Sequence, residues 1–276
     1  MKRKTIMMLI AILGLVYQSK AQGDLLVTPK RVVFDGSKQK EQLSLVNVGK
    51  DTAIYSISFL QYNMTEDGTF ISIEKPDSGQ MFADPYLRIF PRQVTLAPGE
   101  PQVIMLQCRS KPDMLPGEYR SHLYFRAEKN YKPLGLKNSP KDTTLLSVQL
   151  IPVYGMSIPV IIHSGVVNVS SALSDLQLVN QPDNMQSLKF TINRTGNISV
   201  YGDIEIQFIP TQGKPFEVGA VKGVGVYTNI SKRNIFVKLN SNTGKELTKG
   251  KLKVQYISND DSKKNVVYAE GELEIK

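Results

Sequence analysis

The side chains best suited to act as a neutral-pH base, a thiolate nucleophile or a soft metal ligand are two histidines, His122 and His163, and one cysteine, Cys108. They are too few and too far apart for the short-spaced Cys and His sets that hold zinc. His122 falls inside the strand-like run Leu123-Tyr124-Phe125, and His163 falls at a joint between two halves of the chain. Cys108 alternates with Ile104 and Leu106, which places all three on one face of a strand as an inert buried set. A lone cysteine cannot form an internal disulfide. No Gly-x-Ser-x-Gly elbow offers an activated serine. Gly219 to Gly225 is glycine-rich but lacks the lysine-serine/threonine ending of a phosphate loop, so it reads as turns or bulges. The expectation is a protein that is not an enzyme and uses no cofactor, metal or small-molecule substrate.

The elements around these residues are strands. Leu43 and Leu45, then Ile57 and Phe59, sit in alternating runs separated by a turn at Asn47-Val48-Gly49-Lys50-Asp51. Glu66-Asp67-Gly68 is a further turn. In the second half Ile204-Glu205-Ile206-Gln207-Phe208, Leu252-Lys253-Val254-Gln255-Tyr256 and Glu272-Leu273-Glu274-Ile275 alternate apolar with polar. Such alternation marks antiparallel sheets with one solvated face. No stretch shows a sustained helical period with caps. The predicted fold is all-β, with two immunoglobulin-like β-sandwich domains in tandem.

Lys2, Arg3 and Lys4, an apolar run of 11 residues from Ile6 to Val16, and Ser19-Lys20-Ala21 read as a secretory signal cut after Ala21. The run is too short for a bilayer span. The expected organisation is residues 1–21 as signal peptide, 22–164 as the first sandwich and 165–276 as the second, with the exported form starting at Gln22. The four basic residues of the signal leave with it, so the net charge of +9 becomes +5. No basic helix or aromatic-interleaved basic patch accompanies that excess, so a nucleic-acid partner is not expected. Five Asn-x-Ser/Thr sequons occur, at Asn63, Asn168, Asn193, Asn197 and Asn229.

Two stretches stand apart. Ala127 to Thr144, with Pro133, Gly135 and Pro140, reads as a long loop. Leu145 to Ile162 is 18 residues of nearly uncharged, strand-like chain, far beyond the usual strand of about 5–6 residues. Leu146, Val148 and Leu150 share one parity, and Ile151 and Val153 the other. A long apolar edge left unblunted suggests a partner strand that pairs there. The alternative is an ordinary buried strand and a short second one, split at Pro152 or Gly155.

Four segments in order carry a family resemblance: Lys30-Arg31-Val32-Val33-Phe34-Asp35-Gly36; Phe90-Pro91 with Leu96-Ala97-Pro98-Gly99; Leu115-Pro116-Gly117-Glu118-Tyr119-Arg120-Ser121-His122-Leu123-Tyr124-Phe125; and Ser157-Ile158-Pro159-Val160. Together they resemble the N-terminal domain of the PapD-like periplasmic chaperones that assemble pili. The likeness spans about 140 residues and reaches the second domain only in type. It implies a chaperone that lends a strand, here Leu146, Val148 and Leu150, to an incomplete pilus or fimbrial subunit, with an outer-membrane usher as further partner. It also implies that Arg31 binds the C-terminal carboxylate of the client in the cleft between the domains. The family's second cation, a lysine on the last strand of the first domain, has no counterpart; its place falls near Pro159, and Arg88 and Arg92 are weaker candidates. Tyr119-Arg120-Ser121 departs from the family's basic-acidic-serine triplet, which marks a divergent branch. The rival expectation is a structural or adhesive surface protein that forms part of the fibre.

Overall fold

The computed structural model describes residues 25–109, 113–128, 153–180, 186–240, 247, 249–259 and 266–275. The first sandwich contains β1 (Leu25–Thr28), β2 (Val32–Phe34), β3 (Lys40–Asn47), β4 (Ala53–Met64), β5 (Phe70–Ile73), β6 (Leu87–Phe90), β7 (Gln93–Leu96), β8 (Pro101–Cys108), β9 (Gly117–Glu128) and β10 (Gly155–Ser164). One sheet has the order β1-β3-β8-β6, and the other β2-β10-β9-β4-β5, with β7 also on β4. Four strands thus face six in an immunoglobulin-like sandwich: β10-β9-β4 form the centre of the larger sheet, which β2, β5 and β7 extend. Alternation drives it. In β3 Leu43 and Leu45 are fully buried, and Ile104 and Leu106 of β8 meet them from the same sheet. Phe34, Leu96, Leu123, Phe125 and Val160 close the core from the opposite sheet. Cys108 is buried in the same cluster, on the face shared with Ile104 and Leu106.

Between β1 and β2 the chain changes sheets. β1 runs antiparallel to β3, while β2 runs parallel to β10, with Val32 opposite Val160. Pro29 lies at the crossing and cannot donate to a ladder, which suits a break there. Arg31 follows it and directly precedes β2. Further along, the Ser121 hydroxyl accepts the amides of Ala83 at 2.9 Å and Asp84 at 3.0 Å, pinning the short 3₁₀ turn Asp84–Tyr86 against β9.

The second sandwich contains β11 (Val169–Asn180), β12 (Gln186–Gly196), β13 (Val200–Pro210), β14 (Phe216–Val226), β15 (Lys232–Lys238), β16 (Gly250–Ser258) and β17 (Val267–Ile275). Its sheets are β11-β12-β15 and β14-β13-β16-β17. Leu188, Phe190, Ile192, Ile204, Ile206, Leu252, Val254 and Tyr256 are fully buried between them. In β13 and β16 the polar neighbours, Glu205, Gln207, Lys251, Lys253 and Gln255, turn outward as the alternation predicted, whereas in β12 Ser187 and Thr191 are buried as well. The glycines of 219–225 sit in a bulged strand: the β13–β14 register slips near Gly202 and near Ile206, and Gly223 has φ +72°. β10 ends at Ser164 and β11 begins at Val169, so the link between the sandwiches is short.

Candidate functional site: the cleft between the sandwiches

The end of β9 nearest the second sandwich carries Glu118, Arg120 and His122, at every second position. Alternation along a strand puts all three on one face. Glu118 is buried and its Oε2 accepts from the Ser199 amide at 2.8 Å and the Ser199 hydroxyl at 2.6 Å. Its Oε1 accepts from Arg120 Nε at 2.9 Å and Nη2 at 2.6 Å. Arg120 Nη2 also donates to the Ser199 hydroxyl at 2.7 Å, and the Arg120 guanidinium lies 3.8 Å from the Tyr227 ring centroid. Ser199 and Tyr227 belong to the second sandwich, so this pair bridges the two domains. Burial alone would raise the Glu118 carboxyl, but Arg120 and the Ser199 bonds overturn it and hold the group well below the usual carboxylate range. His163 Nε2 stands 3.7 Å from Glu118 Oε2, beyond hydrogen-bond reach, and is buried without another partner among the described residues.

Arg31 lies beside this pair. Its guanidinium stacks 4.5 Å from the Tyr201 ring centroid, on β13 of the second sandwich. Its Nε is buried with no hydrogen-bond partner among the described residues. Burial lowers the affinity of Arg31 for its proton, the neighbouring Arg120 lowers it further, and Glu118 opposes both. Arg31 and Arg120 therefore share one acid, Glu118, and the group carries a surplus positive charge. A buried surplus charge with an orphaned donor is poised for an anion.

The second sandwich presents its half of the cleft through Arg194. Its guanidinium donates to four carbonyls: Gly196 at 2.8 Å, Ile198 at 2.9 Å, Thr228 at 3.1 Å and Ile230 at 3.2 Å. That clamp holds the segments on which Ser199 and Tyr227 ride. The β4–β5 hairpin of the first sandwich leans on the same segments. Asn229 Nδ2 donates to the Met64 carbonyl at 2.8 Å, the Asn234 amide to the Glu66 carbonyl at 2.7 Å, and Phe70 packs against Tyr227 with ring centroids 5.5 Å apart. Gly196 at the end of β12 has φ +104°, and a Cβ there would run into the carbonyl of Asn168. Backbone cannot yield as a side-chain tip can. Gly196→Ala is expected to cost about 2–3 kcal/mol of stability, read as a lowered urea midpoint; a shift below about 0.5 kcal/mol would show the turn to be pliant.

Arg31 lies in the cleft rather than on an open edge. The Val32–Val160 register places Pro159 across from it, with no lysine there. Arg88 donates to its own Leu87 carbonyl on β6 and Arg92 is exposed; the charges that act on Arg31 come from Arg120 and Glu118. Residues 1–24, and with them the signal segment and Gln22, lie outside the described residues, as do Leu146, Val148, Leu150 and all but the first two residues of the 127–144 loop. His122 and His163 both face the domain joint, but neither meets Cys108. Among the described residues no cluster of His, Cys, Asp or Glu is placed to hold a metal ion. Sequence reading missed Glu118, Ser199, Tyr201, Tyr227 and Arg194. One signal was present: Arg120 stands where the family triplet carries an acid, and an arginine there needs an acid from elsewhere, which Glu118 supplies two residues away.

No family model and no curated relative matches the sequence. Solved structures similar to it include the YadV chaperone, at 11% identity and a TM-score of 0.45, covering 92% of this chain and 100% of that one. The class 5 fimbriae chaperone CfaA matches at 15% identity and a TM-score of 0.41, over 91% of this chain and 99% of its own. The Escherichia coli chaperone DraB matches at 14% identity and a TM-score of 0.42, over 91% of this chain and 96% of its own. All three are distant in sequence and superpose loosely.

Proposed function

We propose that the chain is a periplasmic chaperone that binds pilus or fimbrial subunits by donor-strand complementation and delivers them, without enzymatic activity. The observation that carries this reading is Arg31: a cleft arginine, stacked on Tyr201, with a buried unpartnered Nε and one acid shared between it and Arg120. A terminal carboxylate fits that geometry, since it matches the guanidinium fork and offsets the surplus charge. The four-segment resemblance points to the same client group. On this reading Leu146, Val148 and Leu150 are the client-facing edge, and an usher takes over the loaded complex.

The test uses a client subunit's C-terminal peptide as free acid and as amide. Arg31→Ala is expected to weaken binding of the free acid at least tenfold, about 1.4 kcal/mol. Arg31→Lys restores only part of this, because an ammonium cannot reproduce the fork. The amide should bind wild type and Arg31→Ala alike. Equal losses for acid and amide would mean that Arg31 acts through the fold, and the carboxylate role would be wrong.

A further inference from the structure

The two sandwiches differ at one edge. In the first, β8 lies between β3 and β6, so both its sides are paired. In the second, among the described residues, the corresponding β15 pairs only with β12, and β14 only with β13. β14 and β15 meet at one end, where the Asn240 amide donates to the Val218 carbonyl at 2.7 Å. The first sandwich's hairpin fills the other end, through the Asn234 amide and the Glu66 carbonyl.

Among the described residues, the edge of β15 is open between these two bonds. The Ser231 carbonyl and the Leu239 amide bond to Arg194 and Gln186 of β12, whereas the amides of Asn234 and Asn240 point away from it. The same alternation turns the amides of Phe236 and Lys238 outward. Among the described residues no hydrogen-bond partner meets them. A slot of about 350 Å³ opens beside Phe236, lined also by Val221 and Val224 of β14, Arg233 and Lys189. Asp67 at the hairpin tip is its one acid. Phe236 is 53% exposed, and Lys189 lies directly across from it on β12. Lys238, two residues along the same solvent face, is exposed as well.

We propose that the free edge of β15 is a docking site for an extended segment of a partner polypeptide with alternating apolar and acidic side chains. Added as a strand, such a segment pairs its backbone with Phe236 and Lys238. Its side chains alternate between faces. One set enters the slot against Val221 and Val224; the other meets Lys189 and Lys238 beside Phe236. Charge complementarity selects acidic residues for that outer set, since lysines flank the edge on its solvent face.

The experiment uses the full chain and a short alternating Val–Glu peptide, acetylated and amidated so that it has no terminal carboxylate for Arg31. Residue-resolved amide exchange is expected to slow at Phe236 and Lys238 by about tenfold or more at saturation. A matching Val–Lys peptide should bind at least about tenfold more weakly. The double variant Lys189→Glu with Lys238→Glu should reverse that preference. Unchanged exchange at Phe236 and Lys238, protection at another edge such as β10, or equal binding of the two peptides would each overturn the proposal.

Discussion

Glu118→Leu is expected to lower folding stability by about 3–5 kcal/mol, the cost of leaving a buried ion without its partner. The side chain of Glu118 is wholly buried, and that of Arg120 is 11% exposed. Removing the carboxylate strands the Arg120 guanidinium between two sandwiches, beside the Ser199 hydroxyl, the Tyr227 ring and a second cation, Arg31. It also leaves the Ser199 amide without its acceptor. The variant Glu118→Leu with Arg120→Leu removes both charges together and should recover a large part of the loss. Urea unfolding of wild type, the two single variants and the double variant gives the coupling directly. If the losses of the two single variants simply add, the pair is not coupled and the bridge between the domains lies elsewhere. The pH dependence follows from the same contacts. The carboxyl is held below its unfolded value of about 4.3. Its contribution is therefore complete above that value and fades as pH falls towards the folded one. Wild type and Glu118→Gln should differ at neutral pH and converge in strong acid.

The acid limb of the stability curve between about pH 6.5 and pH 3 should belong largely to His122. Its ring is buried on β9, edge-on to Tyr62 and Phe70, with Tyr227 Oη 3.3 Å from Nε2. Burial, and with it the positive charge of Arg120 on the same strand, pushes its pKa down to about 3. The unfolded chain takes up the proton near pH 6.5, while the folded one resists until about pH 3. Stability is complete above the unfolded value and falls across that window by up to about 1.4 kcal/mol per pH unit. His122→Gln cannot titrate, so its urea midpoint should fall with a visibly shallower slope over the same range. Parallel curves for the two proteins would assign the acid loss to other groups.

Much of the architecture was legible in the sequence because strand burial follows a local rule. Leu43 with Leu45, Ile204 with Ile206, and Leu252 with Val254 each repeat every second residue, and each ended on the buried face of its strand. Turn residues stood between the runs, so two all-β sandwiches followed from spacing alone. Cys108 was readable for the same reason, through Ile104 and Leu106. Arg31 could be singled out by the run Arg31-Val32-Val33-Phe34-Asp35-Gly36, but its surroundings could not. Arg31 and Tyr201 are 170 positions apart in the chain, and nothing local to either residue says that one stacks on the other. Glu118 and Arg120 read as an ordinary polar alternation at the start of an apolar strand. Only the second sandwich, joined to that end of β9 through Ser199 and Tyr227, makes them a buried pair. The open edge of β15 is likewise invisible in its own residues, because a strand's free side is defined by the strand that is absent beside it. Periodicity therefore determined which residues form the cores, since burial within a strand depends on near neighbours. Tertiary structure decided which charges meet and which edge stays open, since both depend on residues far apart in the chain.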